Sequence, residues 1–224
     1  MHKNIKVVGI IILMIFSFYY TDKIALYVQN NTPLKKEIIV FKEKNIIPSI
    51  NAQVNGDEII PGINGLKVNA EKSYYKMKSS NTFSEQNLVY DEVKPEISLI
   101  ENKEKIIIKG NKAKGAVSII IDSNSKIANT LRDYGLKFDL NNKTNYCILI
   151  NDNCNNDRRQ KVKPTYTINN TNFIKYIGLI DKGDIIYITD NLDEIYIDIL
   201  SKHVKYYNIK SLSLYEHLSE NNHL

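Results

Sequence analysis

Few side chains in this sequence are equipped for chemistry. Asp122 is the strongest candidate, because it ends the β-branched run Ala116–Ile121 (AVSIII). A carboxylate at a strand end can act as a general base when its neighbours aim it, although the commoner use of such an aspartate is to cap the next helix. Ser123 beside it has no histidine in a recognisable triad order, which argues against nucleophilic catalysis. The four histidines are His2, His203, His217 and His223; His203 and His217 read as surface residues. Asp139, Asp152 and Asp190 fall near expected strand ends and would make an oxygen-only site, suited to Mg²⁺ or Ca²⁺ and weak at activating water. Cys147 and Cys154 lie seven positions apart. A bridge would close a short loop worth about 2–3 kcal/mol, but one pair defines no scaffold, and a metal would need two further ligands. Two free thiols with no obligatory disulfide are expected. No glycine-rich phosphate loop is present.

The elements that must position these groups change character along the chain. Residues 29–47 are polar with one short apolar burst and read as a stalk linker, with a strand conceivable at Ile38–Phe41. Residues 48–112 read as a small β-rich segment. Asn55-Gly56 signals a hairpin, Pro61-Gly62 and Asn64-Gly65 add turns, Lys67–Lys78 fits a short helix, and Ile97–Ile100 and Lys105–Ile108 fit strands. From residue 113 to 224 the rhythm is strand, helix, strand. Ala116–Ile121 suits a strand buried on both faces. Ser125–Tyr134 is amphipathic and stops at Gly135, as a cap glycine should stop it. Leu136–Leu140, Tyr146–Ile150, Pro164–Ile168 and Asp184–Ile188 follow as strands. A helix then runs to about Tyr207, with a last strand at Ile209–Leu212 and a terminal helix at Leu214–Leu218. Alternation of this kind predicts a mostly parallel sheet flanked by helices.

Composition narrows the function classes. The 224 residues include 43% hydrophobic and 25% charged ones, enough for a packed core and too many apolar residues for wholesale disorder. Net charge is +5, yet no arginine-rich helix or aromatic–basic interleave marks a nucleic-acid binder. At the N-terminus, His2, Lys3 and Lys6 precede the apolar run Val7–Tyr20 (VVGIIILMIFSFYY). This is the grammar of a secretory signal or signal anchor. The run is shorter than the roughly 20 residues of a standard span, and bulky aromatics stand where a cleavage site would need small residues. An uncleaved signal anchor or transmembrane helix over residues 1–28 is therefore expected, with its lysines cytoplasmic.

Several segments together carry a resemblance to a known family. VSIIID at Val117–Asp122, the helix ending in YGLK, KPTYTI at Lys163–Ile168, KGDIIYI at Lys182–Ile188 and the ending NIKSLSLYEHLSE resemble the polysaccharide deacetylase family, carbohydrate esterase family 4. PGINGLKVNAEKSYYKMK and KIIIKGNKAKGAVSI are similar to the region before that domain in some membrane-anchored members, so the likeness spans roughly residues 61–220. It implies a (β/α) barrel, often irregular, whose site lies at the C-terminal strand ends. It also implies metal-assisted hydrolysis of glycan N-acetyl groups. The family pattern then fails at most positions. Its paired aspartates match Asp122-Ser123, leaving the base and losing a metal carboxylate. Its H-x-x-x-H pair is absent. Its R-P arginine matches Lys163, and its late histidine matches Thr189. The interval from Asp122 to Pro164 is also shorter than usual.

The expectation is thus an α/β protein: a reduced or irregular (β/α)-barrel-like parallel sheet, preceded by a small β-rich segment and an N-terminal transmembrane helix. The expected role is non-catalytic, with no cofactor and no metal. A cell-envelope polysaccharide or envelope protein is the expected partner, with the membrane engaged through the N-terminal helix and the C-terminal domain extracytoplasmic. The competing reading is an active metal-dependent N-deacetylase with rearranged ligands; a third is a scaffold for assembly.

Overall fold

The structure is a computed structural model that describes residues 2–122, 125–150, 154 and 157–222. The described chain forms two compact units, one made of residues 1–47 and 66–91, the other of 48–65 and 92–224. The breaks between the units fall after residues 47, 65 and 91.

In the first unit, helix α1 (His2–Asn30) carries the apolar N-terminal run and helix α2 (Pro33–Lys44) follows it. Ile10, Leu13, Phe16, Phe18 and Tyr20 of α1 are each more than half exposed. Among the described residues no helix is long and apolar enough to cross a membrane. The expected stalk is instead mostly helical: Thr32 caps α2 by accepting from the Lys35 N–H, and Pro33 occupies its first turn. Leu34 and Ile38 of α2 are buried with Val68, Tyr74, Met77 and Leu88. Tyr74 and Met77 belong to helix α3 (Ala70–Met77). The Lys35 amine is buried 2.6 Å from Glu71 Oε1 and lies over the Tyr74 ring at 5.3 Å.

The second unit holds two sheets. The hairpin β1 (Gln53–Asn55) and β2 (Glu58–Ile60) turns through Gly56 and Asp57, one residue later than the Asn-Gly signal, with Gly56 at positive φ. β3 (Gly65–Val68) and β4 (Tyr90–Val93), a separate two-stranded pair, belong mostly to the first unit. β2 lies parallel to β5 (Ile106–Ile107), β5 to β9 (Gln160–Val162), and β9 to β8 (Tyr146–Ile148). In the other sheet β10 (Tyr166–Ile168), β11 (Ile185–Ile188) and β6 (Ala116–Ile121) run parallel in that order. The free edge of β6 is shared: β7 (Asp139–Leu140) takes its C-terminal half and β12 (Lys210–Ser211) its N-terminal half. Strand β9 runs directly into β10. Lys163 N–H still donates to Ile107 O at 2.8 Å, while Thr165 N–H donates to Ile185 O at 2.7 Å. The change of partner falls at Pro164, which has no N–H to lose.

All six residues of β6 are buried, as the β-branched run required. Val117, Ile119 and Ile121 face helices α4 (Ser125–Asp133), α5 (Phe173–Ile177) and α6 (Glu194–Tyr206), packing with Leu131, Phe173, Ile197 and Leu200. Ile120 belongs to the core between the sheets with Ile59, Ile107, Ile148, Val162, Ile185 and Tyr187. Leu214 and Leu218 of helix α7 (Leu214–Leu218) complete that inner core. The residues 97–100, expected as a strand, lead into a 3-10 turn at Ile100–Asn102. The mixed α/β architecture with parallel sheets matches the expected class; the β-rich character before residue 113 is interrupted by α3.

Cys147 and Cys154 are bridged, with Cα atoms 6.0 Å apart, which corrects the expectation of free thiols. The reason is topological. β8 and β9 are parallel, so the chain leaving β8 must travel back along the strand before re-entering the sheet, and that return brings Cys154 over Cys147. Replacing Cys147 by Ser, or reducing the bridge, is expected to lower unfolding stability by about 2–3 kcal/mol. Urea unfolding with and without reductant measures it, and superimposable curves would show that the bridge contributes nothing.

Candidate functional site

The C-terminal ends of β6 and β11 bring together the residues that matter. Asp122 follows Ile121 and is half-buried. Its Oδ1 accepts from Asn141 Nδ2 at 3.1 Å, and the Asn141 N–H donates to Ile121 O at 2.8 Å, so the residue after β7 is pinned beside the carboxylate. The Tyr187 hydroxyl donates to the same carboxylate. Burial first, then the hydrogen bond and charge of Asp122, then the charge of Asp190 push the Tyr187 phenol well above its ordinary value. It stays a proton donor at any working pH.

Thr189 lies one step beyond Ile188, the register partner of Ile121, and so flanks Asp122 on the adjacent strand end. Its N–H donates to Ile168 O at 3.0 Å and its hydroxyl to Asn191 Oδ1 at 2.6 Å. Lys163 is not brought to this site. Its exposed amine pairs with Glu58 Oε1 at 3.2 Å, on β2 of the other sheet, and no ion pair links it to Asp122 among the described residues. Ser123 and Asp152 lie outside the described residues. Asp139 is spent elsewhere, accepting the Leu214 N–H at 2.6 Å at the start of α7; burial, the largest influence, raises its pKa.

The donor set does not fit the divalent metal that the deacetylase pattern implies. A catalytic site takes about three protein ligands and an open position. Among the described residues no group of three or more His, Cys, Asp or Glu side chains could hold a metal ion. Among the described residues, Asp122 accepts from an amide and a phenol, with Thr189 on the adjacent strand end and Asp190 the one other carboxylate that acts on Tyr187, short of the three ligands a metal needs. The arrangement can hold a hydroxylated ligand by hydrogen bonds at a strand-end rim.

The interior polar centre is at the other end of β6, and sequence reasoning missed it. His217, expected at the surface, is fully buried, and its Nδ1 lies 2.8 Å from the Ser118 hydroxyl. Gly110 is packed on it so closely that a Cβ there would stand 2.2 Å from His217 Nε2, leaving room for glycine alone. Burial first, and the Lys114 charge second, lower the His217 pKa to about 4. Lys114, itself lowered to about 8 chiefly by burial, donates to Glu216 O and Ser219 O at the end of α7. Ser213 and Glu216 form a reciprocal capping box at its start. Asp184, also missed, is buried before β11, where it pairs with Lys109 at 2.8 Å and accepts the Asp181 N–H. His203 is half-buried and bonds Ile180 O. The serine at an inward position of β6 was the available signal for a buried polar partner; its partner lies 99 residues away.

No family model matches the chain. A stretch of 93 residues, 40% of the chain, is 40% identical to the uncharacterized protein YlxY of Bacillus subtilis (strain 168), and it spans only 28% of that relative's length. Among solved structures, wild-type BA3943, a CE4 family pseudoenzyme from Bacillus anthracis, superposes with a TM-score of 0.57 at 15% identity, covering 84% of this chain and 96% of that one. A BA3943 mutant with restored enzymatic activity superposes with a TM-score of 0.58 at 17% identity, over 84% of this chain and 99% of that one. The fold is that of the polysaccharide deacetylases of carbohydrate esterase family 4. Within it, the sequence here lacks the paired aspartates, the histidine pair, the arginine and the late histidine of the catalytic pattern.

His217 generates a pH prediction. Its folded pKa of about 4 lies below the ordinary 6.5, so the unfolded chain takes up the proton first as pH falls. Its contribution is fully present above pH ~6.5, declines between about 6.5 and 4, and changes no further below that. The total is on the order of 3 kcal/mol. His217→Gln should flatten that part of the stability–pH curve in denaturant titrations; an unchanged slope would place the acid sensitivity elsewhere.

Proposed function

We propose that this protein is a non-catalytic polysaccharide-deacetylase-fold protein that binds cell-envelope glycan and is held at the membrane by α1, with the remainder extracytoplasmic. The observation that carries the non-catalytic reading is the setting of Asp122. The one surviving carboxylate accepts from Asn141 and Tyr187, and among the described residues it belongs to no group of three or more metal-ligating side chains. Losing such groups costs orders of magnitude in rate. The structural neighbours support the reading, since BA3943 is itself described as a pseudoenzyme. Glycan as the ligand class is inferred from the fold's chemistry and from a rim of neutral hydrogen-bonding groups, which suits hydroxyls. Membrane attachment is supported by the exposed apolar side chains of α1, an array that a water-facing helix rarely carries, and by the basic positions His2, Lys3 and Lys6 at the start of the same helix.

Two experiments test these parts separately. Incubated with chitin oligosaccharides or peptidoglycan and added Zn²⁺ or Co²⁺, the protein is expected to release no acetate above blank while cosedimenting with the insoluble glycan. Chelator-sensitive release that Asp122→Asn abolishes would establish an active deacetylase instead. In cell fractionation the full chain is expected with membranes, exposed to external protease once the wall is removed. A soluble form beginning near Thr21 would overturn the attachment.

A further inference from the structure

The structure holds a cleft at the end of the parallel strands opposite to Asp122. It has a volume of about 260 Å³ and is lined by Leu99, Ile100, Lys103, Tyr146, Arg158 and Gln160. Tyr146 and Gln160 are the paired first residues of β8 and β9, whereas Asp122 follows the last residue of β6. This size lies just below the about 300–1,000 Å³ of sites for drug-sized ligands and suits one or two small rings.

Its chemistry is specific. Lys103 and Arg158 are both exposed, and among the described residues no carboxylate lies within ion-pairing distance of either. The neighbouring Arg159 shows the contrast. It takes both oxygens of Asp157 and also donates to Thr144 O, so the local carboxylate is already used. Two cations with no ion-pair partner among the described residues, one of them a planar guanidinium, match an incoming carboxylate in charge and geometry. The remaining wall is apolar and aromatic: Ile100 is 57% exposed, and Tyr146 is half-buried. Burial above all raises the Tyr146 phenol to about 12, so it remains a neutral donor. The Gln160 side-chain nitrogen donates to Lys105 O, which leaves its carbonyl oxygen to accept from a hydroxyl.

We propose that this cleft binds an acidic sugar residue, with its carboxylate between Lys103 and Arg158 and its ring against Ile100 and Tyr146. This deepens the glycan-binding reading and rests on it for the ligand class. It places recognition at the strand N-termini, away from the end where the deacetylase pattern would put its chemistry.

The test is isothermal titration calorimetry of the full chain with three probes: a hyaluronan tetrasaccharide, which alternates glucuronate with N-acetylglucosamine, the neutral chitotetraose, and inorganic phosphate. The acidic tetrasaccharide is expected to bind at least about tenfold more tightly than chitotetraose at low salt, with the advantage shrinking as salt screens the charges. Arg158→Ala should remove that advantage and Arg158→Lys restore only part of it, since a point charge replaces the fork. The variant carrying Lys103→Gln and Arg158→Ala, shown to be folded by its thermal melt, should bind both tetrasaccharides equally. Unchanged affinity of that variant for the acidic probe overturns the site. Phosphate binding as tight as the tetrasaccharide reduces it to an anion site and overturns the sugar assignment. A wild-type chain that cosediments with peptidoglycan but shows no preference for the acidic probe leaves glycan binding standing and removes this cleft from it.

Discussion

A strand buried on both faces cannot leave a polar side chain unanswered, and this is the constraint on which the second unit depends. β6 supplies partners to β11, β7 and β12, and its residues contribute to both cores. Its one polar side chain, Ser118, points inward, where an unpaired hydroxyl would cost about 1–3 kcal/mol. His217 meets it. That contact fixes where α7 must sit, and the rest of the C-terminal segment follows. Asp139 and the capping box secure the first N–H groups of α7, Lys114 takes its last carbonyls, and Glu220 accepts from Gly62 and Leu99 just beyond. A short helix of weak intrinsic stability is thereby held at both ends and used to fill the interior between the sheets.

What could be read in the sequence was whatever depends on local pattern. The run at Ala116–Ile121, the terminal helix at Leu214–Leu218 and the alternation between them are properties of neighbouring residues, and the structure has them where the pattern put them. The segment 29–47 misled because its polarity outweighed a subtler signal. Thr32-Pro33 is a helix start, and Leu34, Ile38 and Phe41 repeat at helical spacing. The bridge between Cys147 and Cys154 depends on whether β8 and β9 run parallel, which spacing does not disclose. The depth of His217 depends on Ser118 and Gly110, each about a hundred positions away. β9 and α5 are too short to announce themselves.

The candidate site was legible in a different way, by absence. Asp122, Lys163 and Thr189 were placed by motif, and the structure separates them: Asp122 and Thr189 share a rim, while Lys163 belongs to Glu58. The residues that now attend Asp122, Asn141 and Tyr187, carry no signature of their own, since an asparagine after one strand and a tyrosine within another are ordinary. They hold a carboxylate in place using neutral donors. That is a positioning role compatible with the fold.

The passage through Pro164 has a consequence for how this fold tolerates change over time. One uninterrupted segment serves as β9 in one sheet and β10 in the other. Because side chains alternate with a period of two, a single residue inserted or lost between Gln160 and Ile168 would turn the apolar face of at least one strand outward, and no adjustment within the segment could restore both registers. Loops elsewhere can drift in length at little cost. This joint cannot, because two sheets at once fix the length of the stretch from Gln160 to Ile168.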